Sequence, residues 1–196
     1  MLRQGGVVAF PTETYYGLAV DPFNPAALAR LFALKQRPKG KAVLVLINDP
    51  AQLDLLVRQI PPPFPSLMAR FWPGPLTLVF PARSDLSELL TGATGTVGVR
   101  ISPHPAANRL LTAFGAPLTA TSANLSGRAP ATTAAQVAAW FGAAVDYVVD
   151  GGPTPGGKGS TLVGCGNDGL ILLRDGVVPF ARVVEGASTA PHRVGQ

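Results

Sequence analysis

A second cysteine is missing from this chain, and with it an internal disulfide and any multi-cysteine zinc site, since Cys165 stands alone. Charged residues are sparse at 14% of 196, against 47% hydrophobic residues, which excludes disorder of the whole and leaves enough apolar material for a sizeable core. No apolar run reaches the ~18 residues that a membrane span needs, so no membrane association is expected. The start, Met1-Leu2-Arg3-Gln4-Gly5-Gly6, lacks the apolar stretch and cleavage site of a secretory signal. These absences predict a cytoplasmic protein. No Ser/His/Asp set, zinc signature or Rossmann glycine fingerprint occurs either.

What is present leans positive. The net charge of +5 points to anionic ligands such as nucleotides or RNA. The lysines are unevenly spread: Lys35, Lys39 and Lys41 flank Arg37, and the only other one is Lys158. Such clustering suggests a local phosphate site.

Hydrophobic patterning predicts buried strands at 6–10, 42–47, 76–80, 96–101 and 145–149, and a strand pair at 160–163 and 170–173. Helices are expected at 26–34, opened by Pro25, at 51–58, in a short piece ending at Phe71, at 106–114, and from a Thr132 or Thr133 cap to Phe141. Residues 117–121 read as extended. Strands mixed with helices, without clean βαβ alternation, argue for an α/β domain on a mixed, twisted sheet. The domain is expected over residues 1–185, followed by a polar, fraying tail over 186–196.

Five segments carry polar groups with a chemical reading. Pro11-Thr12-Glu13-Thr14-Tyr15-Tyr16-Gly17 follows a strand, where α/β proteins bind ligands, or else is a hydroxyl-stabilised turn. Lys35 and Arg37, two apart, can grip one anion from an extended segment, or else cap a helix C-terminus. Arg100 interrupts an apolar strand and needs an anionic partner, either a ligand carboxylate or an internal Asp or Glu. His104, between prolines, reads as a surface or capping residue. The loop from Ala120 to Gly127 offers donors to an anion, or is an ordinary turn. The segment from Gly151 to Ser160 is not a P-loop, because Gly159 separates Lys158 from Ser160 and a strand follows, although a glycine loop closing over a ligand is compatible with it.

In order, these segments resemble the YrdC/TsaC family. The resemblance rests on Pro-Thr-Glu-Thr-x-Tyr-Gly-Leu at 11–18, Lys-x-Arg-Pro at 35–38, Phe-Trp-Pro-Gly-Pro-Leu-Thr at 71–77 and Val-Gly-Val-Arg at 97–100. It continues through His-Pro at 104–105, Thr-Ser-Ala-Asn-Leu-Ser-Gly at 121–127, Asp-Gly-Gly at 150–152 and Ser-Thr-Leu-Val at 160–163. It implies a YrdC-like open twisted mixed sheet with flanking helices and a basic concave face. It also implies an L-threonylcarbamoyladenylate synthase that joins L-threonine, bicarbonate and ATP into threonylcarbamoyl-AMP and pyrophosphate. The product would feed tRNA N6-threonylcarbamoyladenosine formation through a TsaD/TsaB/TsaE-type transfer complex.

Carried across residue by residue, the resemblance implies that Thr14, Arg100, Ala120 and Ser160 hold threonine. Lys35, Arg37, Lys41, Thr96, Ser122, Asn124 and Arg174 would hold ATP, with Lys35 and Arg37 catalytic and Mg2+ held mainly by the ATP phosphates rather than by protein ligands. Displacement at phosphorus relies on positioning and charge neutralisation, consistent with the missing acid–base set. Two positions depart from the pattern: many relatives carry Pro and His where this chain has Ala42 and Leu46, which implies a variant threonine pocket. The alternative is an RNA-binding module that holds tRNA or double-stranded RNA on the basic face without catalysis. A carbamoyl-adenylate enzyme of hydrogenase maturation is disfavoured, because its acylphosphatase and zinc-finger segments are absent.

Overall fold

The computed structural model describes residues 1–188. A 3-10 turn, Leu2–Gln4, leads into strands β1 (Val8–Pro11) and β2 (Tyr16–Ala19), then helix α1 (Pro25–Lys35) and strand β3 (Val45–Ile47). A 3-10 segment, Pro50–Leu55, precedes α2 (Phe64–Phe71), β4 (Leu76–Pro81), α3 (Glu88–Thr91), β5 (Thr96–Ile101) and α4 (Pro105–Phe114). The two-residue strands β6 (Leu118–Thr119) and β7 (Thr121–Ser122) follow, then α5 (Ala134–Phe141), β8 (Tyr147–Val148), β9 (Thr161–Gly166), β10 (Gly169–Arg174) and α6 (Phe180–Ser188).

Local chemistry sets the helix ends. Asn24 accepts hydrogen bonds from the backbone N–H groups of Ala26 (3.0 Å) and Ala27 (3.1 Å), with Pro25 at the first helical position. Helix α1 stops at Gln36, which turns left-handed at φ 49°. His104 caps α4 through Nδ1, and Thr133 caps α5. The expected helix at 51–58 is instead the 3-10 segment after the Asp49 cap.

The strands form two mixed sheets, of order β7-β2-β1-β8 and β10-β9-β4-β5-β3-β6. The open, twisted, mixed α/β architecture expected from the sequence is present, divided in two. The division occurs at Ala120. Leu118 and Thr119 pair with β3 in the larger sheet, and Thr121 and Ser122 pair with β2 in the smaller. Between them the N–H of Ala120 donates to the Leu44 carbonyl (2.8 Å), and the N–H of Thr119 to the Val20 carbonyl (3.1 Å). One short run of chain thus belongs to both sheets.

Strands β1, β2 and β3 are buried at every residue, which is why β3, and β1 up to Pro11, read as unbroken apolar runs. The larger core cluster includes Leu28 and Leu31 of α1, Phe64 and Leu67 of α2, and Phe80 and Val99 of the larger sheet. A second cluster joins Phe10, Leu46 and Leu118 to Ala107, Leu111 and Phe114 of α4. Strand β10 closes the larger sheet at one edge, with Ile171, Leu172 and Leu173 exposed.

Helix α6 runs through Ser188, beyond the expected start of a tail at 186, because Gly186 is buried where an added Cβ would lie 2.8 Å from the Phe71 ring. The rest of that expected tail, 189–196, lies outside the described residues. Among the described residues, no helix is long and apolar enough to cross a membrane.

Phe80 is fully buried and meets Phe64 edge-on with ring centroids 4.9 Å apart. Truncating such a ring leaves a cavity, so Phe80→Ala should lower the unfolding free energy by ~3–5 kcal/mol. Urea denaturation would read this as a lower midpoint at unchanged slope.

Candidate functional site

Three stretches of chain meet around a cavity of about 310 Å³: the turn between β1 and β2, the crossover at Ala120, and the chain just before β9. In the first, the Thr12 hydroxyl donates to the Tyr15 carbonyl (2.7 Å) and accepts from the Thr14 N–H (3.2 Å). The hydroxyl-stabilised turn is therefore real, and Thr12 and Thr14 both line the cavity. Turn and site are the same object.

Arg100 supplies the cavity floor. It sits beside Leu46 in the parallel β3–β5 register and is 4% exposed. Its Nη1 donates to Glu13 Oε1, while the Ser102 hydroxyl donates to the other carboxylate oxygen. The internal carboxylate that a buried arginine requires is thus Glu13. The guanidinium is not fully satisfied, because Nε is buried with no hydrogen-bond partner. Burial pulls the Arg100 pKa down, and Glu13 opposes that pull.

Two further arginines face the same space. Arg37 donates to the carbonyls of Lys41 (3.1 Å) and Ala42 (2.6 Å), and burial lowers its pKa. Arg174 donates to the Ser160 carbonyl through Nε (3.1 Å) and Nη2 (2.8 Å), and to the Ser160 hydroxyl (3.0 Å). Its pKa is depressed first by burial, then by Arg100 and Arg37. The Ser160 hydroxyl also meets Thr77 at 2.8 Å. Gly98 gives Leu44 room on the cavity wall, because a Cβ there would lie 2.5 Å from Leu44 Cδ2.

Lys35 stands behind the wall. Its ammonium donates to the Ser122 carbonyl, the Asn124 carbonyl (2.7 Å) and Asn124 Oδ1 (2.9 Å), tying the end of α1 to the loop after β7. Burial, and secondarily Arg37, lower its pKa to about 7. The extended Lys35–Arg37 pair expected from their spacing does not form. Lys35 is the last helical residue and the left-handed Gln36 reverses the chain between them, so one cation goes to the loop and the other to the cavity.

Of the residues singled out from the sequence, Thr14, Arg37, Arg100, Ala120, Ser122, Ser160 and Arg174 line one cavity. Lys35 and Asn124 are buried behind Ser122, whose hydroxyl donates to Asn124 Oδ1 (2.7 Å). Lys41 and Thr96 are not on the wall: Lys41 is exposed and Thr96 lies at the far end of β5 from Arg100. Leu46 packs into the second core cluster beside Arg100, and the carbonyl of Ala42 serves Arg37. Tyr15, Tyr16 and Gly17 of the first motif, Thr121 and Gly159 also line the wall, together with Leu44 and Pro130, which belong to none of the five segments, and the pairing of Arg100 with Glu13 in particular had no local signature. Glu13 was visible as the one acid inside the first motif. The others come together only through long-range pairing. Among the described residues, no group of three or more His, Cys, Asp or Glu could hold a metal ion.

The Sua5/YciO/YrdC family model, described as "Telomere recombination", matches residues 1–176. A Bacillus subtilis protein named threonylcarbamoyl-AMP synthase is 42% identical over 177 residues, 90% of this chain and 51% of its own length. A Thiobacillus denitrificans protein of the same name is 46% identical over 162 residues, 83% of this chain and 86% of its own. The crystal structure of Pyrococcus abyssi Sua5 complexed with L-threonine superposes with a TM-score of 0.90 at 37% identity, over 94% of this chain and 54% of that one. The chain thus spans about half the length of the B. subtilis and P. abyssi proteins.

With its pKa near 7, Lys35 sheds its proton just above neutrality unless an anion arrives. A bound polyphosphate favours the ammonium and raises that pKa. Affinity should then be greatest below pH 7 and fall as pH rises through 7 towards 9, by up to about tenfold per unit. Calorimetric titration with pyrophosphate should show this loss relative to Lys35→Met, the comparison cancelling the ligand's own titration; parallel pH profiles would contradict it.

Proposed function

We propose, from the premise that this chain belongs to the Sua5/YciO/YrdC family, that it is an L-threonylcarbamoyladenylate synthase. The observation that carries the reading is charge. Arg37, Arg100 and Arg174 converge on one cavity with Lys35 behind it, and Glu13, paired with Arg100, is the carboxylate there. The cations outnumber that acid, so the site favours a polyanion together with a carboxylate.

The threonine carboxylate would bind Arg100, which lines the cavity, between Thr14, Ala120 and Ser160. That the P. abyssi structure is described as complexed with L-threonine supports an amino-acid site in this fold. The threonine amine takes up bicarbonate-derived CO2, losing a proton to form a carbamate. A carbamate oxygen then attacks the α-phosphorus of ATP as the bond to the bridging oxygen of pyrophosphate breaks. Arg37 and Arg174 would neutralise charge on the phosphates, with Lys35 adding its charge from behind Ser122, and catalysis would come from alignment and electrostatics. Mg2+ would be carried by phosphate oxygens. Thr96 lies four residues from Arg100 along β5, ~13 Å, so a nucleotide that also reached Thr96 and Lys41 would lie along that strand. The adenylate would pass to a TsaD/TsaB/TsaE-type complex in a tRNA-modifying pathway.

The test is pyrophosphate release from ATP and bicarbonate with L-threonine, with L-serine, and with neither. Threonine-dependent release together with a threonylcarbamoyl-AMP mass is expected. Threonine-independent behaviour with salt-sensitive RNA binding would instead favour a binding module. Removing a charge-assisted hydrogen bond costs ~1.5–3 kcal/mol, so Arg100→Ala should raise the threonine KM by about 10- to 100-fold. Lys35→Ala and Arg37→Ala should chiefly raise the ATP KM, and normal ATP kinetics in both would sink the phosphate assignment.

A further inference from the structure

The glycine-rich segment between β8 and β9 runs past the mouth of the cavity, and two adjacent tyrosines hold it. Tyr16, fully buried at its ring, donates its hydroxyl to the Gly152 carbonyl (2.8 Å). Tyr15 donates its hydroxyl to the Gly157 carbonyl (2.6 Å). Backbone ties at Thr154 to Thr132 (2.8 Å) and at Gly156 to Thr14 (2.8 Å) fix the first half of the segment. The second half, Gly157 to Gly159, has its own anchors, one of them an exposed ion pair. They are Tyr15, an exposed Lys158–Asp175 ion pair (2.6 Å), and the Val177 N–H on the Gly159 carbonyl (3.0 Å). Gly156 and Gly157 are both left-handed, and glycine, having no Cβ, takes up that conformation and its alternatives with little intrinsic preference for one path.

We infer that Tyr15 is a positioning residue, whose phenol latches the Gly157–Gly159 stretch and thereby holds Ser160 at the cavity wall. Tyr15 can do this because its own backbone is pinned. Its carbonyl accepts from both the Thr12 hydroxyl (2.7 Å) and the Thr12 N–H (3.1 Å). Its ring lies on the cavity wall and packs near Gly156, where a Cβ would be 3.7 Å from the ring edge. Ser160 follows the latched stretch directly, and its carbonyl and hydroxyl are what orient Arg174. One hydroxyl on the β1–β2 turn therefore reaches an arginine on β10 through three intervening residues of loop.

The inference rests on the synthase reading only for its kinetic consequence, and the test separates the two. Trypsin cleaves after Lys158, inside the latched stretch. Loss of one ordinary hydrogen bond shifts a local opening equilibrium about two- to tenfold, so Tyr15→Phe should be nicked at Lys158 about two- to tenfold faster than the unaltered chain, measured by intact mass with time. Tyr15→Val, which removes the ring as well, should be nicked at least as fast. With threonine-dependent pyrophosphate release as the readout, Tyr15→Phe should raise the threonine KM two- to tenfold with kcat within a factor of two. Unchanged nicking in both variants overturns the latch. Faster nicking with an unchanged KM in an active enzyme overturns positioning. An inactive unaltered chain defeats the synthase reading, while the nicking rates still judge the latch.

Discussion

Taking an ammonium or guanidinium out of water costs several kcal/mol unless carbonyls, carboxylates or a ligand replace the lost hydration. Around this cavity the chain meets that requirement four times with one nearby acid. Lys35 takes two main-chain carbonyls and an amide oxygen, Arg37 takes the carbonyls of Lys41 and Ala42, and Arg174 takes the carbonyl of Ser160. Each carbonyl must be turned inward from a loop, so the loops at 36–42, 122–128 and 157–160 owe their paths to the cations they serve. Only Arg100 has a full countercharge. The result is a site whose positive charge is stabilised by dipoles and remains available to an anion.

That arrangement also explains why the cations disturb one another. Arg174 is depressed partly by Arg100 and Arg37, and Lys35 partly by Arg37. A polyanion arriving among them relieves repulsion as well as adding attraction, so its binding energy includes strain already present in the free protein. Preorganised charge of this kind is costly to the fold and useful to chemistry that develops negative charge on phosphate oxygens.

The parts of this arrangement legible in the sequence are those with a local signature. Arg100 stood out because a charge inside Val-Gly-Val-Arg-Ile contradicts an apolar strand, and Pro25 and the capping reading of His104 announce their helices. Strand β2 was not read because its four residues, among them Gly17 beneath the Phe10 ring, pair with β1 and with the distant Ser122 and look like a loop by themselves. The two-sheet division was invisible for a similar reason: β6 and β7 are two residues each and exist only through their partners. Lys35 and Arg37 were read as a pair by spacing, which cannot reveal that Gln36 adopts a left-handed turn. Helix α6 contains Gly186, a poor helix former, and is explained by its close fit against Phe71 rather than by propensity.

The crossover at Ala120 has a mechanical consequence. Thr119 and Thr121 are adjacent to it on either side and belong to different sheets, so there is no slack between the two halves at this point. Any sliding of one sheet over the other must drag Ala120, and with it a piece of the cavity wall. The width of the pocket and the relative placement of the sheets are therefore a single degree of freedom, and a ligand that grips both Arg100 and Ser122 acts as a clamp across the whole molecule.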